Sequence, residues 1–174
     1  MCKHKNKELL PYYEKAKELL HYDSESGMFI WRLGRSRAKK GYIAGATHGS
    51  RYERIAIKLG DGSQKKIPSH RLAWFITYGY LPNIIDHIDG DGLNNRINNL
   101  RECTNSQNQM NTGKPSSNTS GVKGVSWRSR DNVWQVRIGF SGKYIWLGSF
   151  KRIEDAEQAY KDKAKQLFGE FYRD

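Results

Sequence analysis

Asp86 and His87 stand side by side, and Asn108 follows 21 residues after the histidine. The Asp-His pair ends an apolar run of Leu81, Ile84 and Ile85, which places both side chains at a strand terminus. A carboxylate, an imidazole and an amide brought together by strand, loop and helix can hold one hard metal ion and activate one water. That combination suits hydrolysis of a phosphodiester.

The intervening residues say how such a group would be positioned. Asn94, Asn95, Asn98 and Asn99 crowd a loop in which Asx side chains bond their own backbone and interrupt regular structure. Leu100-Arg101-Glu102-Cys103 follows as a short strand. Thr104-Asn105-Ser106-Gln107 matches a capping box, with Thr104 as N-cap and Gln107 reaching back. A helix starting there carries Asn108 about one turn in. Asp89 and Asp91 also raise the possibility of a calcium loop, but counting from Asp86 the DxDxDG core is not met.

These residues resemble the HNH nucleases, with the ββα-metal core of phage homing endonucleases. The resemblance rests on HRLAWFITYG from His70 and on IDHIDGDGLNNRINNLRECTNSQNQMN from Ile85 to Asn111. It implies that Asp86 and Asn108 are metal ligands, that His87 is the general base, and that Asn99 braces the loop. It places His70 in the preceding strand or turn, in a structural or phosphate-contacting role. The two oxygen ligands favour Mg²⁺, with Mn²⁺ as a substitute. Some HNH relatives carry a structural zinc. Here Cys2 and Cys103 form no CxxC pair, so no zinc is expected.

Composition points the same way. At 174 residues, 37% hydrophobic and a mean hydropathy of -0.83, the core is thin, and small modules fit better than one deep globule. A net charge of +12, which an RNA-binding protein would show equally, indicates a polyanionic partner; the resemblance implies double-stranded DNA. No apolar run approaches the ~20 residues that span a membrane, and MCKHKNKELL lacks the apolar core of a secretory signal. The expected location is the cytoplasm of the host cell. Monomer and dimer are both open.

The expected fold is α+β in small modules. Residues 1–69 should form a DNA-contacting region: a helix over Leu9 to Leu20, strands at Met28 to Trp31, Tyr42 to Ala46, Tyr52 to Leu59 and Lys65 to Ile67, and a basic run of Arg35, Arg37, Lys39 and Lys40. Residues 70–111 should form the nuclease core, opening on a helix from Arg71 to Tyr78. Residues 112–120 read as a polar linker. Residues 121–174 predict three antiparallel strands and a helix from about Ile153 to Phe168 with Gly169 after it.

That last block resembles the AP2/ERF DNA-binding domains in GVKGVSW, VWQVRI, KYIWLGSF and the helix carrying Ala156 and Tyr160. The resemblance implies a sheet lying in the major groove, with Lys123, Arg128, Arg130, Trp134, Arg137 and Trp146 as DNA contacts. Ser126 stands where such relatives usually have arginine. The whole then implies a site-specific, homing-type DNA endonuclease with one metal ion per site, nicking one strand at a time. The alternatives are a DNA-binding regulator with an inactive nuclease core, or a nonspecific nuclease.

Overall fold

The computed structural model describes residues 3–34, 39–47 and 49–173. Arg35 and Arg37 lie outside the described residues; Lys39 and Lys40 are exposed. The chain is a mixed α+β protein made of several small antiparallel sheets, as expected, and it divides into two compact units, Met1–Cys103 and Thr104–Asp174.

The first unit opens with helix α1 (Lys3–Leu19), which starts six residues before the apolar spacing begins and runs through Pro11. Leu9 and the buried Tyr12, Tyr13, Ala16 and Leu19 give it one inward face. Leu20, expected to close this helix, instead opens strand β1 (Leu20–Tyr22), which pairs with β2 (Phe29–Trp31); β2 in turn pairs with β3 (Ile43–Ala44). Ladder hydrogen bonds to β2 are what turn these residues from helix to strand. Strands β4 (Arg54–Lys58) and β5 (Gln64–Pro68) pair as a hairpin, with Gly62 at φ +89° in the turn.

Helix α2 (Ser69–Tyr78) begins two residues earlier than the sequence suggests. Pro68 ends β5 without an N–H to donate, and the helix starts directly after it. His70 therefore sits in the first turn of α2, not in a preceding strand or turn. The helix stops where expected, at Gly79, whose φ of 77° lets its N–H reach the Phe75 carbonyl at 2.9 Å. Leu72, Ala73 and Phe75 bury against α1, β4 and β5, and each fully buried large apolar side chain contributes ~1.5–3 kcal/mol. Strand β6 (Ile84–His87), a 3₁₀ turn over Ile97–Asn99 and strand β7 (Leu100–Cys103) complete the unit.

The second unit begins with helix α3 (Asn105–Met110) and continues into a sheet of β8 (Val125–Arg128), β9 (Val133–Phe140) and β10 (Lys143–Phe150), with β9 central. Helix α4 (Ile153–Phe168) lays Ala156, Tyr160, Ala164 and Phe168 on Val125, Val136 and Ile138. That spacing of four puts all four on one stripe, and the two alanines let the helix approach the sheet closely. A bulge between Trp146 and Gly148 re-aims the end of β10. Among the described residues no helix is long and apolar enough to cross a membrane.

Candidate active site

Strands β6 and β7 form a two-stranded ribbon in which Asp86 lies directly opposite Arg101 and His87 opposite Leu100. Ile85 and Leu100 bury the ribbon in the core, and the ribbon delivers Asp86 and His87 to a site where they are only 4% and 5% exposed. Arg101 donates to Asp86 Oδ2 from both Nε, at 2.9 Å, and Nη2, at 2.8 Å. A buried ion pair of this kind holds the carboxylate in one orientation. Arg101 was absent from the residues that the sequence pointed to.

The loop after His87 is held by its own amides. Asn99 accepts from the Asp89 backbone N–H at 3.1 Å and donates to Asp89 Oδ1 and to the Asn94 carbonyl, both at 2.9 Å. Asn94 closes the ring with a 2.7 Å bond to Asp89 Oδ2. Burial works against the Asp89 charge, but Asn94, Asn99 and the Asp91 N–H together hold its carboxyl below the usual range. Both Asp89 oxygens are thus committed to bracing the loop, with Asn99 as the brace.

The His87 imidazole is enclosed by rings. Tyr52 stacks on it at 5.8 Å between centroids, His70 meets it edge-on at 5.1 Å, and Tyr52 and His70 touch each other at 5.2 Å. Asn95, itself buried, places Oδ1 3.4 Å from His87 Nε2. Burial pulls the His87 pKa below the ordinary value, against the opposing pull of Asn95, Asp89, Asp86 and Asp91. Tyr52 and Asn95 were missed in the sequence: Tyr52 reads as an ordinary strand residue, and Asn95 as one of four loop asparagines.

His70 is pushed down to about 3, by burial first and then by the charges of His87, Arg71 and Arg54. Its Nδ1 is buried without a hydrogen-bond partner among the described residues. The unfolded chain takes up a proton near pH 6.5 that the folded chain refuses until about pH 3. The stability that neutral His70 contributes is therefore complete above pH 6.5 and is lost as pH falls towards 3. At pH 5 the loss is about 2 kcal/mol. Urea unfolding at pH 7 and pH 5 measures it, and His70→Gln should shrink the difference; an unchanged difference would refute the assignment to His70.

Asn108 lies on α3, in the second unit. The capping box expected there is formed: Thr104 Oγ1 accepts from Gln107 N at 3.2 Å, and Gln107 Oε1 accepts from Thr104 N at 2.8 Å. No cluster of three or more His, Cys, Asp or Glu that could hold a metal occurs among the described residues. Cys103 is pushed up to about 11 by burial and by Asp86. Oxygen donors such as the Asp86 carboxylate are of the kind that suits a hard divalent cation.

Residues 68–110, which run from the end of β5 through α3, match the family model for HNH endonucleases. The chain is 35% identical over 106 residues to Protein 3.8 of Escherichia phage T7, covering 60% of this chain and 87% of that protein. It is also 35% identical over 109 residues to an uncharacterized HNH endonuclease of Acanthamoeba polyphaga mimivirus, covering 61% of this chain and 56% of the mimivirus protein. The chain belongs to the HNH endonuclease family.

Membership in the HNH family carries endonuclease activity on DNA and a general dependence on divalent metal. The remaining residues with an expected DNA role lie on the second unit. Arg137 and Trp146 are cross-strand partners on the outer face of the sheet, Trp146 being 56% exposed. Tyr144, not anticipated, joins them at 75% exposure, with the Arg137 guanidinium 5.0 Å from its ring centre. Arg128 and Arg130 are exposed and both pair with Asp131. Two residues are placed differently from expectation. Trp134 lies opposite Trp127 on the helix side of the sheet and packs against the core, because its register matches Val136 and Ile138 rather than Arg137. The Lys123 ammonium is half-buried and donates to the Met110 and Thr112 carbonyls.

Proposed function

We propose that this HNH protein is a site-specific, homing-type endonuclease acting on double-stranded DNA. Asp86 and Asn108 would hold one Mg²⁺, with Mn²⁺ as a substitute, and His87 would be the general base. The observation that carries the reading is the placement of His87: a buried imidazole next to a buried carboxylate, enclosed by Tyr52, His70 and Asn95.

The chemistry divides among the residues as follows. Asn95 holds the His87 ring through its Nε2 contact, and burial keeps the imidazole in the neutral form that can take a proton from water. Tyr52 and His70 limit rotation of the ring, which fixes the direction of attack. A bound divalent ion supplies stabilisation of charge on the scissile phosphate and on the departing 3′ oxygen. Asn99 keeps the loop, and so the approach to His87, in one shape. Hydrolysis in this direction leaves 5′-phosphate and 3′-hydroxyl ends.

Target choice is assigned to the C-terminal sheet, read as an AP2/ERF-like module. Its outer face combines Arg137, Tyr144 and Trp146, with a cation for phosphate or guanine and flat rings for sugars and the thymine methyl. Lys39 and Lys40 extend the basic surface on the first unit. One HNH site per chain cuts one strand, so a nick is the expected product. The test is a supercoiled plasmid carrying the DNA that flanks this gene, incubated with Mg²⁺ or with EDTA. Discrete nicked circles with Mg²⁺ alone support the reading. An intact but retarded plasmid would instead indicate a DNA-binding regulator, and a smear a nonspecific nuclease.

A further inference from the structure

We propose that Arg101 governs when metal enters the site: it keeps Asp86 in a neutral ion pair in the free protein and releases it to the metal when a DNA phosphate arrives. The proposal rests on the reading of Asp86 as a metal ligand and adds an order of assembly to it.

The geometry is specific. Arg101 and Asp86 are directly opposed across the β6–β7 ribbon, and two guanidinium nitrogens converge on one carboxylate oxygen at 2.9 and 2.8 Å. The two side chains are 13% and 6% exposed, so solvent and salt screen the pair poorly. A lone buried carboxylate attracts a divalent cation. Compensated by a fixed guanidinium at contact distance, it presents no net charge to an approaching cation. The guanidinium cannot lose its charge by deprotonation, so only another anion can draw it off. A phosphodiester has two non-bridging acceptor oxygens to which an arginine fork is matched. DNA would then provide both the ligand for Arg101 and the oxygens that complete the metal's shell.

A purely structural role, in which the pair only keeps β6 and β7 in register, predicts different behaviour. Mn²⁺ binding to the full chain, followed by loss of the free-ion paramagnetic signal, separates the two. The measurements use a His87→Ala background so that added duplex stays whole. With the arginine present, a DNA duplex should tighten Mn²⁺ binding by at least about tenfold. Arg101→Leu should bind Mn²⁺ about tenfold more tightly without DNA and lose most of the response to duplex. Arg101→Gln, which keeps hydrogen-bond donors for Asp86 without the charge, should behave like Arg101→Leu and serves if the leucine variant melts early. Arg101→Lys, which keeps the charge, should retain the dependence on DNA. Asp86→Asn tests the underlying reading. If it binds Mn²⁺ as well as its parent, Asp86 is not a ligand. If it loses Mn²⁺ while Arg101→Leu and Arg101→Gln bind no more tightly than the parent, the gating role alone is overturned.

Discussion

His87→Ala is expected to slow DNA cleavage by roughly 10²–10⁴-fold, the usual contribution of a positioned general base, while leaving DNA affinity unchanged. The imidazole is buried among Tyr52, His70 and Asn95; alanine removes the base but none of the basic residues on the surface. Its pH profile follows from the direction of the shift. Burial lowers the His87 pKa, so the neutral base persists as pH falls below 6.5, and the rate should drop only once pH passes the lowered value. Single-turnover cleavage at saturating protein, with filter binding alongside, separates the two quantities. A variant that lost binding and cleavage together would remove His87 from the role of base.

Gly27→Ala should cost the first unit about 2–4 kcal/mol and slow cleavage as well, although Gly27 lies 60 positions before His87 in the chain. Gly27 has φ +77°, and a Cβ there would meet Arg96 N at 2.5 Å and the Asn95 carbonyl carbon at 2.7 Å. Both are backbone atoms and cannot rotate aside. The turn before β2 is bonded to the same loop: the Tyr22 hydroxyl donates to the Asn95 carbonyl at 2.7 Å, and Ile97 N to the Ser24 carbonyl at 3.2 Å. Pushing the loop away moves Asn95, whose side chain faces His87. Gly79→Ala is the control, since Gly79 has the same φ of +77° but nothing within 4 Å. It should show only the left-handed strain, about 1 kcal/mol, with cleavage unchanged. Urea unfolding of the two variants isolates the clash, and equal losses would mean that the turn does not support the loop.

Short-range signals made part of this structure legible in the sequence. Strand β7, the capping box of α3 and the end of α2 at Tyr78 each depend on neighbours within a few residues, and each is found where the pattern put it. Leu20 to Tyr22 misled because it prolongs the helical spacing of α1, and only its pairing with β2 decides otherwise. The Arg101–Asp86 pair follows from the register of two strands separated by the whole asparagine loop, which no local pattern encodes. The rings around His87 come from three separate elements: Tyr52 precedes β4, His70 opens α2 and His87 ends β6. Lys123 and Trp134 show how side-chain type and placement can diverge. Their types suit DNA contact, but one is bonded to backbone carbonyls and the other packs into the core of the second unit.

Helix α3 has six residues, far short of the ~12–15 at which an isolated helix holds together in water. The capping box secures its first turn. Its last turn is held by residues well downstream, through Met110 packed against the core under α4 and through the Lys123 ammonium on the carbonyls of Met110 and Thr112. The stretch that defines the family therefore stops at a helix whose splint lies beyond it. Replacing residues 121–174 would remove that splint, so any substitute module must bring its own counterparts of Lys123 and of the apolar bed beneath Met110.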